Sequence, residues 1–224
     1  MRMLRRLLRL LLFGWIVVSI GFIIGLRRWY QEREGRGGPM PVSQAGLLLT
    51  PLRFRFNPPR QTLEQFGIRP GQTVLELGPG PGYFTPEAAT MVEPDGRIVC
   101  VDVQPGMLAL LRNRLREHRA SNAHPIAGDA TRLPLASRSA DAAFLVSVFG
   151  EIPGRPAALA ELRRVLKPGG RLSFLETLGD PDYVAVDTMK DLCHAFGFEL
   201  IDHQRGWYGY LMTFAAPAPT AGFL

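Results

Sequence analysis

From Arg60 onward, short runs rich in apolar and β-branched residues alternate with longer stretches whose apolar positions recur at helical spacing. A short helix with Pro59 near its first turn runs to about Gly67. It is followed by a strand at Thr73–Leu77, a helix near Pro86–Val92, a strand at Arg97–Asp102 and a helix near Pro105–Arg119. A short strand around His124–Ala127 and a buried one at Asp141–Val148 lead to a helix at Pro156–Leu166. A Gly169-Gly170 turn then opens a strand at Arg171–Glu176. The last helix covers roughly Tyr183–Phe196, and the runs Phe198–His203 and Tyr208–Ala215 are close enough to pair as antiparallel strands. Strands alternating with helices predict an α/β domain over residues 60–217, a parallel sheet with helices on both faces, followed by a tail at 218–224.

The first 59 residues follow a different pattern. Leu10 to Leu26 is a run of 17 uncharged residues, LLLFGWIVVSIGFIIGL, about 25 Å long as a helix. Leu7 and Leu8 lengthen it if Arg9 snorkels to the headgroups, and Trp15, Trp29 and Tyr30 offer interfacial rings. No small-x-small cleavage site follows the run, and Ser19-Ile20-Gly21 is the nearest mimic, so an uncleaved membrane anchor over residues 1–34 is favoured over a signal peptide. Arg2, Arg5, Arg6 and Arg9 at helical spacing also fit a helix that starts in the interface. Gly21 and Gly25 form a small-xxx-small pair through which two such helices could pack as a homodimer. Residues 35–59, punctuated by glycines and prolines, are expected to be a linker. Its LLLTPLRFRF segment is too apolar for a free tether and should pack on the domain or on a membrane, with Arg53 and Arg55 toward phosphates.

Charge changes the picture only at this end. The chain has 224 residues and a formal net charge of +6, which invites a nucleic-acid reading. Residues 1–38 hold eight Arg and two Glu, however, and residues 39–224 hold 18 basic and 18 acidic residues. The excess belongs to the flanks of the apolar run, and no nucleic-acid partner is expected. Four Arg precede that run and four (Arg27, Arg28, Arg33, Arg36) follow it, so the positive-inside rule does not orient it. Cys100 and Cys193 stand far apart with no second Cys or His at ligand spacing, which suggests neither a metal site nor a disulfide framework.

The candidate chemistry lies at the ends of successive strands. The first strand runs into Glu76-Leu77-Gly78-Pro79-Gly80-Pro81-Gly82-Tyr83, where glycines allow sharp turning and close approach of a ligand to main-chain N–H groups. Such loops bind nucleotides at the carboxyl edge of open α/β sheets. The spacing is G-x-G-x-G rather than the G-x-G-x-x-G of dinucleotide folds. Asp102 ends the second strand, placed to accept both hydroxyls of a ribose, and Asp129 follows the third, where it could accept from an exocyclic adenine amine. Three acids at three consecutive strand ends form a specific constellation.

On these residues the sequence resembles the class I S-adenosylmethionine-dependent methyltransferases over roughly Arg60–Pro217. VLELGPGPGYFT, IVCVDVQPGML, GDATRLPL, DAAFLVSVFGEIP and RRVLKPGGRLSF stand in the family's order and spacing. It is most similar to the small-molecule branch that includes ubiquinone/menaquinone-biosynthesis methyltransferases. The resemblance implies a Rossmann-like, seven-stranded, mostly parallel sheet with an antiparallel last strand, preceded here by one N-terminal transmembrane helix. It further implies that Gly78, Gly80 and Gly82, continued by Tyr83, admit the methionine part of the cofactor, with Glu76 at its ammonium end. Asp102 would take the ribose, Val103 and Met107 would flank the adenine, and Asp129 and Ala130 would meet its edge. Ser147, Val148 and Phe149 would lie beside the sulfonium and the acceptor.

Methyl transfer needs alignment and a water-poor site, and a base only for acceptors that lose a proton. Glu151 is the catalytic candidate and His203 a weaker one, while Trp207, Tyr208 and Tyr210 are candidates for lining an apolar acceptor pocket. The expected function is thus a membrane-anchored methyltransferase acting on a small lipophilic acceptor. The bilayer would be its partner, and the catalytic domain would lie in the cytoplasm, where S-adenosylmethionine is made. A nicotinamide-dependent oxidoreductase and a non-catalytic adenosyl-ligand-binding scaffold are the competing classes.

Overall fold

A computed structural model describes residues 38–50 and 57–218. The expected anchor with its Gly21/Gly25 pair, Arg53 and Arg55, and nearly all of the 218–224 tail lie outside the described residues. Among the described residues no helix is long and apolar enough to cross a membrane.

Seven strands form one sheet in the order β3-β2-β1-β4-β5-β7-β6. They are β1 (Thr73–Leu77), β2 (Arg97–Asp102), β3 (Ala123–Ala127), β4 (Ala140–Val146), β5 (Leu166–Thr177), β6 (Glu199–Gly206) and β7 (Gly209–Ala215). β1 to β5 pair in parallel, and β7 runs antiparallel to both β5 and β6. The Rossmann-like mostly parallel sheet with an antiparallel last strand is therefore present. β5 is longer than the sequence suggests. Leu166 already pairs with Ala140, and the Lys-Pro-Gly-Gly stretch is absorbed as a bulge before Arg171 pairs with Ala142.

Among the described residues five α-helices cover the two faces. α1 (Pro59–Phe66), α2 (Thr85–Val92) and α3 (Pro105–Glu117) pack through Leu63, Phe66, Ala88, Val92, Leu108, Leu111 and Leu115 on one side. α4 (Arg155–Val165) and α5 (Val186–Ala195) pack through Leu159, Leu162, Met189 and Cys193 on the other. The sequence explains where helices begin and end. Prolines occupy the first turns of α1 to α4, where no N–H is required. Gly67 ends α1 in the left-handed conformation and donates its N–H to the Glu64 carbonyl at 2.9 Å.

The segment expected as a linker is not a free tether where it is described. Val42–Leu49 forms a 3-10 helix lying against the domain, and Gln104 Nε2 donates to the Met40 carbonyl at 3.0 Å. Another brace fixes the loop after β3. Arg164 and Glu161 pair at 2.7 Å on α4, Glu161 accepts the Leu133 N–H at 2.8 Å, and Arg164 donates to the Leu133 and Leu135 carbonyls.

One acid is buried in this frame. Glu176, 1% exposed at the end of β5, accepts the Val184 N–H through Oε2 at 3.4 Å, while its Oε1 has no hydrogen-bond partner. Burial raises its pKa from the ordinary 4.5 to about 8; the Val184 N–H opposes this, and Asp180, Asp182 and Glu151 add to it. A folded-state pKa above the unfolded one gives stability that is complete below 4.5 and is lost as pH rises toward about 8. Urea unfolding across that interval should show wild-type stability falling by a few kcal/mol, while Glu176→Gln flattens the profile. Parallel profiles for the two proteins would mean that Glu176 is ionised in the fold.

Candidate functional site

Parallel pairing brings the carboxyl ends of β1, β2 and β4 side by side, since Leu77 pairs with Val101 and Glu76 with Phe144. A cavity of about 370 Å³ opens there, within the size range of small-molecule sites. Its wall contains Glu76, Gly78, Gly80, Tyr83, Asp102, Val103, Met107, Asp129, Ala130, Ser147 and Glu151. Strand pairing and helix packing thus gather all the cofactor-binding candidates but Gly82, together with Glu151, around one space.

The loop after β1 gets its shape from left-handed glycines. Gly78, Gly80 and Gly82 have φ of +71°, +54° and +87°, a region costly for residues with a Cβ. A methyl group added at Gly78 would lie 2.5 Å from Val148 Cγ2, and one at Gly82 would lie 2.5 Å from Leu111 Cδ1. Gly82 is the candidate glycine outside the cavity wall. It packs the loop on α3, and its carbonyl accepts Arg114 Nε at 2.8 Å.

Asp102, 7% exposed, is tied to the same loop. Its Oδ2 accepts the Gly80 N–H at 3.2 Å and its Oδ1 the Gln104 N–H at 2.9 Å. Burial raises its pKa, and the two N–H bonds oppose that rise. A carboxylate has about four acceptor positions, so both oxygens can also accept hydroxyls from a ligand in the cavity. Asp129 is more open, and Oδ1 accepts from both the N–H and the hydroxyl of Thr131, holding its pKa low. Glu76, 3% exposed, accepts the Thr85 hydroxyl at 2.7 Å. Tyr83 lines the cavity, but its hydroxyl donates to the Asn57 carbonyl at 2.8 Å, so its polar group is used in packing.

At the end of β4, Ser147 adopts φ +51°, uncommon for a residue with a side chain. Its N–H donates to the Leu175 carbonyl at 2.8 Å, and its Oγ lies 3.1 Å from Thr177 Oγ1. The sharp bend turns Val148 to the cavity and sends Phe149 the other way. Phe149 is fully buried with its ring 5.1 Å from Phe174, which corrects the expectation that it lies beside the sulfonium. Glu151 ends the following 3-10 turn and faces the cavity. That turn is pressed onto the stretch after β5, where a methyl group at Gly150 would collide with the Asp182 carbonyl oxygen.

The acceptor side differs from the expectation. Tyr210 is buried with its hydroxyl donating to the Val184 carbonyl at 2.8 Å, and Trp207 is 75% exposed. Neither of them lines the cavity, nor does Tyr208. His203 also lies elsewhere, its ring 6.2 Å from that of Tyr210; burial, then Lys190 and Arg205, lower its pKa. The apolar residues of the wall instead include Met40, Leu48, Phe144, Val146, Val148 and Ile152. Leu48 was signalled in the sequence only by the apolarity of LLLTPLRFRF, and Met40 by nothing. Asp180 also reaches the wall, from a stretch with no motif. Among the described residues no group of three or more His, Cys, Asp or Glu could hold a metal ion.

This geometry fits an adenosyl ligand. The left-handed glycine loop, the buried Asp102 and the neighbouring Val103, Met107 and Asp129 combine close main-chain approach, carboxylate acceptors and apolar surface on one wall. A family model for a methyltransferase domain matches residues 74–170. The ubiquinone/menaquinone biosynthesis C-methyltransferase UbiE of Ectopseudomonas mendocina (strain ymp) is 36% identical over 156 residues, 68% of this chain and 61% of that one. Its counterpart in Hahella chejuensis (strain KCTC 2396) is 34% identical over 118 residues, 52% and 47% of the two chains. The chain thus spans about half to three-fifths of the length of these curated relatives. A SAM-dependent methyltransferase structure from Aquifex aeolicus superposes with a TM-score of 0.75 at 22% identity, covering 80% of this chain and all of that one. The [4+2]-cyclase SpnF superposes at 0.65 with 19% identity, over 71% of this chain and 80% of that one, a likeness of fold alone. Family model, relatives and fold agree that residues 74–170 form a methyltransferase domain, and its cofactor is S-adenosylmethionine.

Proposed function

We propose that the protein transfers a methyl group from S-adenosylmethionine to a small lipophilic acceptor at a membrane. The observation that carries this reading is one continuous cavity, polar and acidic at Asp102 and Asp129 and apolar at Met40, Leu48, Phe144, Val146 and Ile152. The curated relatives are named for ubiquinone and menaquinone biosynthesis, whose products are apolar. The apolar, Arg-flanked run Leu10–Leu26 supports membrane anchoring, and a cytoplasmic catalytic domain follows from where the cofactor is made. Tethering raises the effective concentration of a membrane-resident acceptor.

In this reading Asp102 accepts the ribose hydroxyls, Val103 and Met107 hold the adenine, and Asp129 with Ala130 meets its edge. Main chain at Gly78 and Gly80 lies along the methionine part, with Gly82 setting the loop on α3 and Glu76 at the ammonium end. S-adenosylmethionine supplies a methyl group already activated on a sulfonium. Ser147 and Val148 fix the floor on which the acceptor meets it, and the apolar wall keeps water out. Where the accepting atom carries a proton, Glu151 is the carboxylate on the cavity wall that takes it.

Removing Asp102 tests the cofactor site. Hydrogen bonds to charged groups contribute about 1.5–3 kcal/mol, so Asp102→Ala should weaken S-adenosylmethionine binding by about 10- to 100-fold in calorimetric titration. Because burial raises the Asp102 pKa, wild-type affinity should begin to fall on acidification at a pH still above the ordinary carboxylate range. Asp102→Asn should lack that step, and unchanged affinity in both variants would remove Asp102 from the site. The acceptor class is tested by radiolabelled methyl transfer into a membrane lipid extract. Label in the organic phase, lost in Asp102→Ala, is expected; label confined to water-soluble products would refute a lipophilic acceptor.

A further inference from the structure

The described residues expose seven large hydrophobic side chains: Val42, Leu47, Val103, Leu110, Leu178, Ile201 and Trp207. Single exposed hydrophobics need no explanation, but their concentration at one place does. Five of the seven lie at the end of the domain that holds the cavity mouth. Val103 follows the last residue of β2 and Leu178 the last residue of β5. Trp207 lies in the β6–β7 turn, and its neighbour Tyr208 accepts the Leu178 N–H at 2.8 Å. Val42 and Leu47 belong to the 3-10 helix, which the contacts of Val42 with Gly106 and of Leu48 with Gly80 seat across the starts of α3 and the glycine loop. Leu47 is 62%, Leu178 58% and Trp207 75% exposed.

The chain outside the structure identifies what covers this end. Residues 1–37 join the domain here, because Gly38 leads directly into Pro39 and Met40 on the cavity wall. Leu26, the last residue of the apolar run, is twelve residues before Gly38, which spans at most about 40 Å. A run held in a bilayer therefore keeps the cavity end within about 40 Å of the lipid surface. Tryptophan suits that boundary, with an apolar ring and one N–H donor.

We infer that the carboxyl end of the sheet is a bilayer-contacting face, with Leu47, Leu178 and Trp207 entering the apolar boundary of the membrane around the cavity mouth. This rests on the membrane anchoring proposed above and adds how the domain is oriented. An apolar acceptor then moves from lipid to the cavity without crossing water.

The test uses the full chain carrying Trp15→Phe and Trp29→Phe, which leaves Trp207 as the single tryptophan of three. The protein is reconstituted in phosphatidylcholine vesicles with or without brominated acyl chains, and flotation is measured alongside fluorescence. Interfacial side chains sit about 5–10 Å into the headgroup and acyl boundary, so Trp207 emission should shift to the blue and be quenched about twofold in floated protein. Adding Leu47→Asp and Leu178→Asp should abolish the quenching while leaving flotation and S-adenosylmethionine binding intact. Flotation with unquenched Trp207 overturns the docking face while sparing the anchor. Failure to float overturns the anchor and the face with it. A concentration-dependent blue shift without lipid, accompanied by dimers, would assign the face to a second copy of the chain and overturn bilayer contact.

Discussion

The parallel pairing of β1 with β2 on one side and β4 on the other is the constraint on which the site depends. Strand order reverses there, so the connections leaving β1 and β4 diverge to opposite faces and a crevice is left above the strand ends. The register places Glu76, Asp102 and Val146 at the rim of that crevice without any side-chain contact being needed to align them. What side chains add is fixation. The Gly80 N–H donates to Asp102 across β1 and β2, tying the glycine loop to the carboxylate beside it. The Glu161–Arg164 pair performs a similar task at longer range, holding the loop that follows Asp129 to α4.

Much of this was legible in the sequence because its causes are local. β1 and β2 fall where the apolar runs end in Glu76-Leu77 and Val101-Asp102, and the glycine spacing after Leu77 states directly where backbone must turn left-handed. Asp102 and Asp129 were readable because an acid at a strand end keeps its position whatever the details of packing. Phe149 was misplaced for the converse reason. The two-residue alternation of β4 stops at Ser147, whose positive φ reverses which neighbour faces the core. Tyr210 resembles a pocket aromatic in sequence, but its register opposite Glu176 directs it to the α5 face of the sheet. Burial of Glu176 itself depends on the stretch after β5 folding back over it, which no spacing encodes.

The apolar wall illustrates a middle case. The composition of the segment before the domain marks it as unsuited to a solvated tether, yet only tertiary contact shows Met40 and Leu48 on the cavity wall. Electrostatics and hydrophobicity are accordingly divided along the cavity. Desolvated carboxylates stand over the ligand end, held by main-chain N–H groups at Asp102 and by a hydroxyl at Glu76, while the other end offers almost no charge except Glu151 and Asp180. In the proposed reading the cationic cofactor and an apolar acceptor occupy the two ends of one space, neither desolvated against an unlike surface.

The glycine loop and the two strand-end acids bear most directly on ligand identity, and a paired calorimetric titration addresses them in one sample. S-adenosylmethionine and NAD are each titrated into the full chain at the same pH and salt. Saturable heat with S-adenosylmethionine and none with NAD is the expected result, since the G-x-G-x-G loop and Asp129 favour the adenosyl sulfonium over a dinucleotide. Saturation by NAD with no response to S-adenosylmethionine would contradict the assignment of the cavity.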